Sequence, residues 1–387
     1  MRNFDYSIPT RIHFGKGQIS KLGAEVKSCG NHALLVYGGG SIKKTGLYEV
    51  IRAQLQEQGI EVTELSGVEP NPRIESVREG VALCREHSVD VVLAVGGGSV
   101  LDCAKVIAGA VSYEGDAWDV VKDKTKITSV LPIVTVLTLS ATGSEMDPFA
   151  VISNLSTNEK LGIGVEAFKP QASILDPEYT FSVSAYQTAA GTADIMSHIL
   201  ESYFTNEKGA FVQARLCEAL LKTCIQYGPA AVAEPENYEA RANLMWTSSL
   251  AINRLLVYGA DVEWSVHPME HELSAFYDIT HGVGLAILTP NWMEYVRTEE
   301  NLWKFVEYGV NVWGLDPDMD DHEIADAAIQ LTRDFFSGLG IPATLQEVGI
   351  DESKLEIMAE KAAAQGLQEA FIPLEAEDVL EIYKLSL

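Results

Sequence analysis

The chain has 387 residues, 47% of them hydrophobic and 21% charged, and a formal net charge of −27. Its length exceeds the size at which one hydrophobic core stops growing, so two domains are expected, and its composition excludes a disordered or low-complexity chain. The acidic excess repels a phosphate backbone and excludes nucleic acid as a partner, while no apolar run is long enough to suggest a membrane span.

Cys29, Cys84, Cys103, Cys217 and Cys224 form no Cys-x-x-Cys pair. They favour buried thiols in a reducing compartment over a disulfide framework, and with no apolar signal region in MRNFDYSIPTRIHFGKG a cytoplasmic location is expected. From the N-terminus, short apolar runs alternate with amphipathic stretches, which predicts an α/β domain built on a parallel sheet flanked by helices. The predicted strands are 32–38, 61–67, 90–96 and 132–138; predicted helices cover 46–59 and 74–88. Pro170 and Pro177 punctuate a change of character, after which long helical patterns such as AFVQARLCEALLKTCIQYG dominate. The expected division is therefore residues 1–183, an α/β dinucleotide-binding domain, and residues 184–387, an all-α metal-binding domain.

Two glycine clusters follow predicted strands. In VDVVLAVGGGSVLDCAK, Gly96, Gly97, Gly98 and Ser99 stand between a strand and a helix that Ser99 is expected to cap. Bare backbone amides at a helix N-terminus suit a pyrophosphate. In LLVYGGGSIKKTG, Gly38, Gly39, Gly40 and Ser41 offer no carboxylate for a ribose 2′-hydroxyl, and Lys43 and Lys44 follow. That combination points to NADP(H), with NAD(H) as the alternative. A hydroxyl-rich loop holding Thr138, Ser140, Thr142 and Ser144 lies beyond the fourth strand, at the sheet end where such ligands collect.

The helical half carries the metal-ligating residue types. Asp194 and His198 are four apart in GTADIMSHILESYF, so a helix presents both on one face. His267 and His271 repeat that spacing in HPMEHELSAFYDITHG, and His281 follows where Gly282 and Gly284 favour a turn. These are five candidates for about four positions. Imidazole and carboxylate donors without a nearby thiolate suit Fe(II) or Zn(II).

Together GGGSVLDCAK, LTLSATGSE, GTADIMSHILE and HPMEHELSAFYDITHGVGLAILTP resemble the iron-containing (group III) alcohol dehydrogenases, most closely their butanol dehydrogenase branch, over almost the whole chain. The resemblance implies a dehydroquinate synthase-like fold. It also implies Asp194, His198, His267 and His281 as metal ligands, and leaves His271 as a catalytic residue near the nicotinamide. It places cofactor contacts at Gly97, Gly98, Ser99, Asp102, Asn71, Thr138, Thr142 and Lys160, beside Gly38, Gly39 and Ser41 of the first loop. Ser184 and Thr280 stand where many members have proline.

The expected reaction is reversible hydride transfer between a primary, butanol-like alcohol and NAD(P), with a small alcohol or aldehyde as substrate and a homodimer as the assembly. Phe149, Ile252 and Trp264 are candidate pocket walls, with core packing favoured for Ile252. The alternatives are a zinc-dependent polyol dehydrogenase of the glycerol type and a dehydroquinate synthase-like lyase. That lyase would need several basic residues near the metal, and the metal segments supply hardly any. A non-enzymatic metal binder would leave the glycine loops unexplained.

Overall fold

The computed structural model describes residues 1–260 and 262–387. Its contacts divide into two units: Ser7–Val183, and Ser184–Leu387 joined by Met1–Tyr6. The first six residues thus belong with the helices, where Arg2 N–H donates to Gly259 O at 2.9 Å and Phe4 stacks on Tyr258 at 5.2 Å.

In the Ser7–Val183 unit the strands are β1 (Arg11–Phe14), β2 (His32–Tyr37), β3 (Glu61–Leu65), β4 (Val91–Gly96), β5 (Ile133–Leu137), β6 (Phe149–Asn154), β7 (Glu159–Gly164) and β8 (Ala172–Leu175). Six of them form a parallel sheet in the order β1-β8-β5-β4-β2-β3. The helices are α1 (Leu22–Cys29), α2 (Ser41–Lys44), α3 (Leu47–Glu57), α4 (Ile74–His87), α5 (Gly98–Ala110) and α6 (Ala117–Lys122). Strands β4 and β5 are buried at every residue and β2 at all but its first, as expected where helices cover both faces of a parallel sheet. That continuous burial is what made them readable as apolar runs. Strand β1 lies at the edge and is only partly buried, β8 is four residues long, and β6 and β7 form a separate antiparallel hairpin. None of these four was anticipated.

The chain leaves β2 toward β3 on one side and returns to β4 on the other. The sheet order therefore reverses between the adjacent strands β2 and β4, and such a switch point is where open α/β sheets hold ligands. The glycine loops 38–41 and 96–99 follow these two strands.

In the other unit the helices are α7 (Ala185–Tyr203), α8 (Phe211–Ala233), α9 (Tyr238–Ile252), α10 (Val266–Tyr277), α11 (His281–Val296), α12 (Leu302–Tyr308), α13 (Asp321–Gly338), α14 (Leu355–Ala363) and α15 (Ala376–Leu385). Helix α7 is buried without interruption from Thr188 to Tyr203, so it runs through the core and has no solvent face. Ser184 caps it, accepting the Gln187 amide at 3.2 Å.

The expectation of a turn at Gly282 and Gly284 is corrected: both lie inside α11, which starts at His281. A Cβ on Gly282 would come within 2.0 Å of Ala190 O, so glycine is needed there to let α11 approach α7. All five cysteines are unpaired and four are buried; burial pushes the Cys84 thiol up to about 12, which keeps it inert.

Candidate active site

Helices α7, α10 and α11 bring Asp194, His198, His267 and His281 together. Asp194 Oδ1 lies 3.6 Å from His198 Nδ1, 3.8 Å from His267 Nε2 and 3.7 Å from His281 Nε2. Donors held about 2.1 Å from a tetrahedral ion lie about 3.4 Å apart, so this spacing suits one first-row divalent ion. Asp194 Oδ1, His198 Nδ1 and His267 Nε2 are buried and have no hydrogen-bond partner. Three orphaned polar atoms clustered at the Asp194 carboxylate cost several kcal/mol together, about 1–3 each, unless something binds them.

Charge supports the same assignment. Burial would raise the Asp194 carboxyl, but His198, His267 and His281 around it hold it well below the usual carboxylate range. Burial pushes His198 down to about 4, against the pull of Asp194, so its ring is neutral and can donate a lone pair. Burial also opposes charge on His267, yet Glu201 and then Asp194 raise it to about 9. An ion held here would have to displace a proton from that ring, so its affinity would rise with pH.

His271 sits one turn after His267 on α10, half-buried, its ring centroid 6.3 Å from that of His267 and 5.8 Å from that of His281. Glu270, His271 and His281 form a second group of closely spaced potential donors. Their closeness is partly a hydrogen bond, because Glu270 Oε2 is bonded to His281 Nδ1. The Asp194 group has the orphaned atoms and is the better cradle.

Two residues at the Asp194 cluster were missed from sequence. Glu201 is hydrogen-bonded to His267 Nδ1 at 2.5 Å, and Glu270 is bonded to His281. Their spacing was a usable signal: Glu201 is seven residues after Asp194 and Glu270 three after His267, each returning to its helix face. The half-buried Trp264 packs its ring 4.6 Å from His267 and 5.3 Å from His198, giving the site an apolar wall; Ile252 is buried and Phe149 is 39% exposed.

The predicted cofactor residues lie in the Ser7–Val183 unit. Gly97 precedes α5, which begins at Gly98, so Ser99 lies in its first turn and does not cap it. A Cβ on Gly98 would meet Thr142 Cγ2 at 2.4 Å, which makes these two loops neighbours and keeps the helix N-terminus bare. Thr138 donates its amide to Gly96 O at 2.9 Å. Asp102 is 9% exposed; Ser144 Oγ donates to one of its oxygens at 2.6 Å and the Val151 amide to the other at 2.9 Å. Asn71 is buried with φ of 48°, and Lys160 is buried on β7.

Lys105, to which no role was given from sequence, is fully buried. It donates to Asp147 Oδ1 at 2.8 Å and to Phe149 O at 2.7 Å, tying α5 to the start of β6. Removing one partner of such a pair typically costs about 3–5 kcal/mol.

In the first loop Gly39 is exposed and Ser41 opens α2. Lys43 points its ammonium at two rings, 5.1 Å from the centroid of Tyr37 and 4.7 Å from that of Tyr48, and both Lys43 and Lys44 are exposed.

A parallel sheet with glycine loops at its switch point and a buried Asp–His cluster with orphaned donors fit the class of metal-dependent oxidoreductases that use a nicotinamide dinucleotide. Residues 9–177 match the model of the family described as iron-containing alcohol dehydrogenase, and residues 188–387 match that of the Fe-containing alcohol dehydrogenase family, C-terminal. The chain is 61% identical over 388 residues to NADH-dependent butanol dehydrogenase A of Clostridium acetobutylicum, covering 100% of both. It is 40% identical over 371 residues to the NADPH-dependent aldehyde reductase YqhD of Escherichia coli, covering 95% of this chain and 94% of that one. The crystal structure of NADH-dependent butanol dehydrogenase A from Thermotoga maritima superposes with a TM-score of 0.94 at 39% identity, covering 100% of this chain and 99% of that one. The chain belongs to the iron-containing alcohol dehydrogenase family, in its butanol dehydrogenase branch, and is an oxidoreductase that interconverts alcohols and aldehydes. Among the described residues no helix is long and apolar enough to cross a membrane.

Proposed function

We propose that the chain reduces short aliphatic aldehydes, and oxidises the corresponding primary alcohols such as butanol, with Asp194, His198, His267 and His281 holding Fe(II) and the two glycine loops holding NADP(H) or NAD(H). The observation that carries the metal assignment is the set of three buried, partnerless donor atoms on Asp194, His198 and His267. Held there, the ion would supply Lewis acidity for the substrate oxygen and the nicotinamide would supply or accept the hydride. Asp194 is the one anionic donor of the four, so the cluster leaves net positive charge for that oxygen. His271 moves the proton to and from it. Trp264 offers an apolar face to an alkyl chain, which favours an aliphatic substrate over a polyol. The amides of Gly97, Gly98 and Ser99 at the start of α5 receive the pyrophosphate.

The test is reduction of butanal by NADPH and by NADH after Fe(II) or Zn(II) reconstitution, followed by loss of reduced-nicotinamide absorbance. Oxidation of at least one cofactor is expected; none with either metal would sink the dehydrogenase assignment.

Cofactor choice is proposed to lie in the loop 38–41. The relative that is 61% identical is named NADH-dependent and the one that is 40% identical NADPH-dependent, so the family name leaves the choice open. Acceptance of NADP(H) is supported by the lack of a carboxylate in the loop and by the exposed Lys44. A Cβ on Gly38 would stand 3.2 Å from Val68 O, while Gly39 has nothing within 4 Å. Gly39→Asp is therefore the cleaner substitution. It should raise the KM for NADPH about tenfold by repulsion of the 2′-phosphate and leave that for NADH within about twofold; an unchanged NADPH KM would remove the loop from cofactor choice. Two further proposals are a division of the chain at 183/184 and a cytoplasmic homodimer, the cellular location being supported by the five unpaired cysteines.

A further inference from the structure

We propose that Glu201 and Glu270 are positioning residues, each holding a proton on Nδ1 of one metal-binding histidine so that its Nε2 lone pair faces the ion. The inference rests on the metal site proposed above and adds what orients it.

Glu201 is 4% exposed. Its Oε2 is 2.5 Å from His267 Nδ1, and its Oε1 accepts the amides of Ser265 at 2.7 Å, Val266, and His267 at 3.4 Å. Three amide donors at the start of α10 fix the orientation of the side chain and turn Oε2 toward His267 Nδ1 as an acceptor. With its proton placed on Nδ1 in the bond to Glu201, the ring presents Nε2, 3.8 Å from Asp194 Oδ1, as the nitrogen that would give its lone pair to the ion.

Glu270 repeats the arrangement one helix further on. It is fully buried, bonds His281 Nδ1 through Oε2, and accepts the Ser274 hydroxyl through Oε1. Gly284 makes room for it, since a Cβ there would stand 2.8 Å from Glu270 Cγ. Nε2 of His281 then faces Asp194 Oδ1 at 3.7 Å. Helix α7 thus orients the histidine of α10, and α10 orients the histidine of α11. The bonds also polarise both imidazoles and make them stronger donors.

An isosteric glutamine separates this role from packing. At position 201 its carbonyl can still accept the backbone amides, but its NH2 then faces His267 Nδ1. The ring must accept there, carry its proton on Nε2, and point an N–H at the ion.

The probe is Co(II), titrated into the metal-free full-length chain and read by its d–d absorption and by competition with a chelator. Wild type is expected to bind, and Glu201→Gln and Glu270→Gln are each expected to bind about 10–100-fold more weakly with unchanged far-UV circular dichroism. Wild-type affinity in both folded variants overturns the proposal while leaving the metal site standing. Failure of the wild type to bind Co(II) overturns the metal-site assignment, and this inference with it. Should either variant fail to fold, nitrogen-15 NMR of the Zn(II)-loaded wild type decides: Nδ1 protonated and Nε2 bound in His267 and His281 supports the roles of the glutamates, and Zn(II) bound through Nδ1 overturns them.

Discussion

Replacing His267 by alanine should remove the metal and lower kcat/KM at least about 10³-fold, or ~4 kcal/mol of transition-state stabilisation. The substitution takes one of four donors from a cluster centred on Asp194 Oδ1 and strips Glu201 of the imidazole it orients. A buried carboxylate that loses its partner costs about 3–5 kcal/mol, but Glu201 keeps its backbone amides, so the low end of that range applies to folding. Metal content by elemental analysis, measured beside activity and a thermal melt, checks this. Full metal content in the folded variant would remove His267 from the ligand set.

His271→Ala should keep the ion and lower kcat about 10²-fold or more, the range expected when a proton-transfer group is lost. His271 shares α10 with His267, but no nitrogen of it joins the Asp194 group, and its ring lies 5.8 Å from that of His281. Helical spacing alone made His267 and His271 equivalent candidates. The structure separates them, because only His267 points a partnerless nitrogen toward Asp194. Metal content and kcat measured on the same preparation decide, and loss of the ion would move the site to the group of Glu270, His271 and His281.

The parallel sheet was legible because its central strands are buried on both faces and so read as apolar runs. Strands β1 and β8 were not, each being only four residues long, and β7 alternates too irregularly between buried and exposed positions to read as a run. The Asp–His cluster was partly legible through helical spacing, which places Asp194 and His198 on one face of α7. Glycines were read less well. Gly282 resembles a turn residue in sequence, yet it is a helix-contact residue whose reason, the approach of Ala190 O on α7, lies 92 positions earlier in the chain. Ser99 was read as a cap by its type, while Gly97 takes that place with extended backbone. Glu201 and Glu270 were passed over because an acidic residue on a helix is usually solvated, and only the fold reveals that both are buried against histidines.

The central claim is that Asp194, His198, His267 and His281 enclose one catalytic ion. The most direct test is an anomalous difference map from a crystal of the Fe(II)-loaded protein, recorded at the iron edge. One peak bounded by the Asp194 carboxylate and the rings of His198, His267 and His281 is the expected result. A peak bounded by Glu270 and His271, with Asp194 outside its coordination, would contradict it.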